Sequence, residues 1–239
     1  MSARLGSGLS MNGLITETIQ FSVMADRNWR QVATACGIAA PVVALGAIVL
    51  ATLLAAPETF TWRGRALSDM GRYGTRTFPL FNGGLVIGGF LGIPFGWRLW
   101  IASRTSFERL GVVLLWISTV GLVGVGVFFI GHTEFYLGTD LHAPAALLYF
   151  GLAPFAQWIY GTGQIIADER RLGLVSIWLG LVHPLAWLGW LLYRTGASEP
   201  MAWFAVPEMV AALAFGCWIL VLALGQYRRD ARDRTEPAR

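Results

Sequence analysis

The sequence predicts an all-α integral membrane protein: six transmembrane helices in one bundle, with both termini cytoplasmic. Three observations carry the prediction. Hydrophobic residues make up 55% of the 239 and charged residues only 13%, about half the charge of an ordinary soluble domain. Mean hydropathy is +0.57. The apolar residues also gather into runs of the roughly 20 residues that a helix needs to cross a ~30 Å hydrocarbon core. This composition excludes a disordered chain, a collagen and a disulfide scaffold. Cys36 and Cys217 both fall in apolar runs, where a thiol behaves as a small buried hydrophobe, so no disulfide is expected.

Taken in order, the first 23 residues lack a basic stretch followed by a sustained apolar one, so they do not read as a signal peptide. Met24 is a candidate start, and residues 1–31 are expected to form a disordered cytoplasmic segment. Apolar segments then follow at 33–56, 79–102, 109–131, 143–167, 172–194 and 201–226, which makes 32–226 the transmembrane domain and 227–239 a charged cytoplasmic tail. All 18 basic residues are arginine. Basic residues in short loops resist translocation. Cytoplasmic termini keep Arg4, Arg27, Arg30, Arg98, Arg104, Arg109, Arg170, Arg171 and the tail arginines Arg228, Arg229, Arg232, Arg234 and Arg239 inside. Arg63, Arg65, Arg72 and Arg76 break that pattern by sharing the first outer loop. The net charge of +4 therefore belongs to headgroup contact at the cell membrane, and no nucleic-acid partner is expected.

The second segment carries Gly84, Gly88, Gly92 and Gly96 at four-residue spacing, one stripe that lets another backbone approach closely. It serves packing within the chain or a homodimer. Pro41, Pro94, Pro154, Pro184 and Pro207 are expected to interrupt five of the six helices, kinks that neighbours and water tolerate and that can open a cavity.

The stretch Phe60-Thr61-Trp62-Arg63-Gly64-Arg65-Ala66-Leu67-Ser68-Asp69-Met70-Gly71 is followed by Pro79-Leu80-Phe81-Asn82-Gly83-Gly84 and later by Leu141-His142. Over about residues 32–226 these pieces resemble the archaeal and bacterial six-helix membrane proteins grouped as domain of unknown function 998, and the absence of lysine resembles a haloarchaeal member. More distantly, the Ser-Asp-x-Gly loop ahead of an aromatic helix start looks like the eukaryotic autophagy-modulator and GPI-anchor-remodelling six-helix families. The resemblance implies topology and candidate positions; it carries no activity.

The polar residues that matter gather in the outer loops: Ser68 and Asp69 in the first, and His132, Glu134, Asp140 and His142 in the second. Two imidazoles and two carboxylates within eleven residues have the chemistry of a divalent-metal shell. The alternative is local: Asp140 caps the fourth helix, His142 lies in its first turn with Pro144 close by, and Asp69 caps a turn ahead of Gly71. An acid/base reading pairs Asp69 or Glu134 with His142 and gives Ser68 the hydroxyl. A third makes the loop arginines a clamp for lipid phosphate, which arginine binds bidentately, or simply partners for the nearby carboxylates. Asn82 reads as a cap or loop anchor.

His183 and Glu208 lie deeper, where ionisable groups are costly and functional by default. Counted at ~1.5 Å per residue from the outer ends their depths nearly coincide, so they are expected to meet. With Gln157, Ser118 and Thr119 they would form a polar pocket or a proton relay; otherwise they make a structural hydrogen bond between helices. No phosphate loop, Cys-x-x-Cys, haem attachment sequence, voltage-sensor stripe or visible inverted repeat is present, and no cofactor beyond a divalent metal is expected.

Three functional expectations follow. The first is a protein binding a lipid or isoprenoid headgroup in an outward-facing cavity, with Arg63 or Arg65 on phosphate and Ser68, Asp69, Asn82, His142, His183 and Glu208 as polar contacts. The second is a metal-assisted or general-base lipid hydrolase using Asp69, His142 and Glu134. The third is an accessory membrane protein with no ligand.

Overall fold

The computed structural model describes the backbone of residues 11–235 and the side chains of 27–233 and 235. Within them the chain forms six α-helices and two short 3₁₀ turns, and no strand. The helices are α1 (Met11–Leu54), α2 (Phe78–Ala102), α3 (Ser106–Val127), α4 (His142–Ile166), α5 (Arg170–Arg194) and α6 (Ala205–Thr235). Five of them, all but α4, are long and apolar enough to cross a membrane. At 25 residues α4 has the length, but Gln157, Gln164, Tyr149 and Tyr160 lower its hydropathy; all four are buried against other helices.

Local chemistry sets the boundaries. Thr105 and Glu108 start α3 with a capping box: the Glu108 N–H donates to Thr105 Oγ1 at 3.1 Å and the Thr105 N–H to Glu108 Oε2 at 3.0 Å. The helix stops at Val127, short of the expected 131, because Phe128 leaves the helical region and Gly131 turns the chain at φ +85°. At the start of α4 the His142 N–H donates to Asp140 Oδ1 at 2.9 Å. The start of α6 is Ala205 rather than 201, since Trp203 adopts φ +60° and its N–H donates to the Arg63 carbonyl at 2.8 Å. Pro207 lies in the first turn of α6, where a missing N–H costs nothing. Only Pro41, Pro94, Pro154 and Pro184 lie inside helices.

Both ends of the chain differ from expectation. The segment 1–31, expected to be disordered, is helical from Met11, the stretch after Gly13 having no glycine or proline to stop α1 extending backwards. Residues 1–10 lie outside the described residues, as do the side chains up to Asp26, Met24 among them. The tail expected from 227 continues α6 to Thr235, with Arg229 and Asp230 paired to Glu169 and Arg98 of the bundle. Arg234's side chain and Arg239 again lie outside the described residues.

Each helix packs against its neighbours in the chain, and α1 closes on α6. A further contact joins α4 to α6 directly. The result is a ring of α1, α2, α3, α4 and α6, with α5 lying outside in the groove between α4 and α6. Little of α5 is buried, and Leu174, Trp178, Leu185, Leu188 and Leu192 are exposed along it.

The glycine stripe is consumed inside this ring. A side chain at Gly84 would collide with Ala47 of α1, and one at Gly88 would come within 2.8 Å of Ala44 Cβ. Gly92 faces Thr119 and Gly96 faces Trp116, both on α3. All four are buried, so a homodimer through these residues has no face left at them. The stripe splits between two partners because 100° per residue carries successive four-residue steps slowly round the helix.

Candidate ligand cavity

The ring holds a partly open cavity of about 80 Å³. It is walled by α1, α2, α3, α4 and α6; α5 contributes nothing. The walls are apolar over most of their area, with Ala40, Ala44, Leu45 and Ile48 from α1, Leu85 from α2, Leu115 and Leu122 from α3 and Phe215 and Ile219 from α6. Polar groups collect at the loop end: Ser68 from the first loop, His142 from α4 and Glu208 from α6. Thr119, in the wall, spends its hydroxyl on the Leu115 carbonyl at 2.7 Å.

The first loop forms the roof. Its 3₁₀ turn, Leu67–Gly71, buries Leu67, Ser68, Met70 and Gly71. Glu208 anchors it to α6 by accepting the Leu67 N–H on Oε2 at 2.7 Å. Asp69 accepts the Ala66 N–H at 3.0 Å and pairs with Arg72 at 3.1 Å. Asn82 donates to the Gly71 carbonyl at 2.8 Å, and the Thr77 hydroxyl donates to the Met70 carbonyl at 2.8 Å. Tyr73 and Phe78 then pack on Phe129, and Tyr73 lies 4.4 Å from Phe135, ring centre to ring centre, which joins the first loop to the second.

Glu208→Ala would strand the buried Leu67 N–H, a loss of about 1–3 kcal/mol, whereas Glu208→Gln keeps an acceptor and most of the stability. Thermal unfolding in detergent checks this; an unchanged midpoint for the alanine variant would mean the anchor is idle.

Several candidate residues turn out to be elsewhere. Glu208 and His183 do not meet, since α5 is outside the ring and the carboxylate is committed to the roof. The His183 ring is edge-on to Phe150 at 5.9 Å, and Phe150 itself lines the cavity, so an aromatic ring separates His183 from it. The rest of the expected polar pocket is likewise dispersed: Gln157 donates to the Ala214 carbonyl at 3.3 Å, and the Ser118 hydroxyl is buried without a partner among the described residues.

The expected metal shell is not assembled either. The two ring nitrogens of His132 face the Phe129 and Thr139 carbonyls at 2.9 and 3.2 Å. His142 Nδ1 faces the Phe128 carbonyl at 2.8 Å, Asp140 caps α4, and Glu134 points to solvent. Among the described residues no group of three or more His, Cys, Asp or Glu side chains is placed to hold a metal ion. The same bonds leave the Asp69–His142 relay unmade, because Asp69 is held by Ala66 and Arg72. Arg63, Arg65 and Arg76 are exposed and outside the cavity lining; Arg65 donates to the Glu58 carbonyl at 3.3 Å.

Sequence reasoning missed the opposite end of the bundle. There Arg98 of α2 pairs with Asp230 of α6 at 2.8 Å, with side chains only 6% and 12% exposed. Glu169, between α4 and α5, takes Arg229 at 2.6 Å and Arg104 at 3.3 Å. The signal available was an arginine four residues before the end of an apolar run, one turn too deep for solvent.

An all-helical chain with this many membrane-length helices defines a multi-pass membrane protein. The match with known sequences is more specific: residues 26–225 match the family described as "Protein of unknown function (DUF998)", and the chain belongs to it. No curated protein and no solved structure matches the chain.

Proposed function

We propose that this protein crosses the cell membrane six times with cytoplasmic termini and holds a membrane-dissolved amphiphile, a lipid or isoprenoid, in the ring cavity. In this reading the roof end faces outward, and α4 is the sixth span, its polar groups turned inward. The arginine distribution supports the orientation: Arg98, Arg104, Arg170, Arg171 and Arg229 share the end opposite the roof. The observation that carries the function is the cavity, whose apolar walls suit a hydrocarbon chain and whose few polar groups converge at one end, as in small-molecule sites generally.

Native mass spectrometry of the gently solubilised protein tests the reading. Wild type is expected to retain a lipid mass, and Ala146→Phe, which fills the cavity from α4, to lose it. Bare wild-type protein, or a lipid retained equally by the filled variant, would defeat the proposal.

A further inference from the structure

We infer, resting on that reading, that the amphiphile carries an uncharged hydroxyl head, a long-chain alcohol, and not a phosphate. The chain has no lysine, and among the described residues no arginine lines the cavity. Of the four arginines in the first loop, Arg72 is spent on Asp69 and the others are exposed outside the lining. A phosphate drawn into the cavity would therefore be a desolvated anion with no counter-charge, beside a carboxyl group.

The polar end has the opposite chemistry. A carbonyl only accepts, so His142 Nδ1 carries the proton in its contact with the Phe128 carbonyl, and the neutral ring keeps its Nε2 lone pair as an acceptor. Glu208 uses Oε2 on Leu67, which leaves its second oxygen. Among the described residues the Ser68 hydroxyl has no hydrogen-bond partner, and it is able both to donate and to accept. A ligand hydroxyl matches this set, giving its proton to His142 Nε2 or Glu208 and taking one from Ser68. A ketone or quinone head has no proton to give and leaves the imidazole lone pair unpaired. An ammonium head would lose its hydration for a single buried carboxyl group, a poor exchange in an apolar site.

The test uses the full-length protein in detergent and three probes sharing one isoprenoid chain: geranylgeraniol, its monophosphate and its amine. Thermal unfolding reports binding, because a ligand that binds only the folded state raises the midpoint. The alcohol is expected to raise it, and the phosphate and amine to do so far less. Ser68→Ala and His142→Gln, each folded by its own unfolding transition, should weaken the alcohol about two- to tenfold, the worth of one neutral hydrogen bond. Ala146→Phe should abolish its effect. A phosphate or amine that stabilises as well as the alcohol overturns the hydroxyl assignment while the cavity reading stands, provided Ala146→Phe still abolishes the effect. An alcohol effect untouched by both polar variants also overturns the assignment. No response to any probe, together with bare protein in the mass spectrum, overturns both.

Discussion

Gly121→Leu is expected to be among the most destabilising substitutions in the chain, at about 3 kcal/mol or more. A Cβ at this position of α3 would fall 2.6 Å from the Tyr149 backbone nitrogen and 2.9 Å from the Ala145 carbonyl oxygen of α4. Helical backbone has no rotamer to turn away, so the two helices must separate along their contact. Gly46→Leu is the control, since nothing lies within 4 Å of a Cβ there, and it should stay within about 0.5 kcal/mol of wild type. Thermal unfolding of both variants checks the contrast; equal midpoints would mean that α3 and α4 do not touch along this line.

The second large effect is expected at the opposite end. Asp230→Ala leaves the Arg98 guanidinium, 6% exposed, without its partner, at a cost of about 3–5 kcal/mol. Arg98→Met should cost a similar amount by stranding the carboxylate. Combining Arg98→Met with Asp230→Leu removes both charges and should recover most of the loss, because an apolar pair of similar volume replaces a buried ion pair at little cost. A double-mutant cycle with no coupling between the two positions would show the pair to be incidental.

Much of this architecture is legible in the sequence. Each of the six apolar segments became a helix, because a run of about 20 residues has one way to satisfy its backbone away from water. The ordered first loop was readable from Ser68, Asp69 and Asn82, residues suited to turns and caps. What escaped was rotation about the helix axes. Depth counting set Glu208 level with His183, yet nothing along either helix revealed that α5 lies outside the ring, and the true partner of Glu208 is a backbone N–H 141 residues away. A backbone group has no sequence signature. The Arg98–Asp230 pair escaped because composition alone does not distinguish a charged tail from one folded back on the bundle. Thr105-x-x-Glu108 was a readable capping box that went unread. An outward-facing cavity was expected, but its walls were invisible for another reason: they are ordinary alanines, leucines and glycines from five helices, and only their convergence makes them a site.

The ion pairs opposite the roof give that end two fastenings with different responses to ionic strength. Arg104 and Arg229, 44% and 36% exposed, hold Glu169 from the surface. The Debye length shrinks from about 10 Å at 0.1 M salt to about 3 Å at 1 M, so in brine these two contacts are weakened. Arg98 and Asp230, shut off from solvent, are not. At molar salt the hold of Arg104 and Arg229 on Glu169 weakens, while the pair that clamps α2 to α6 keeps its strength. The same end of the bundle thus carries one fastening that answers to the salt around it and one that does not.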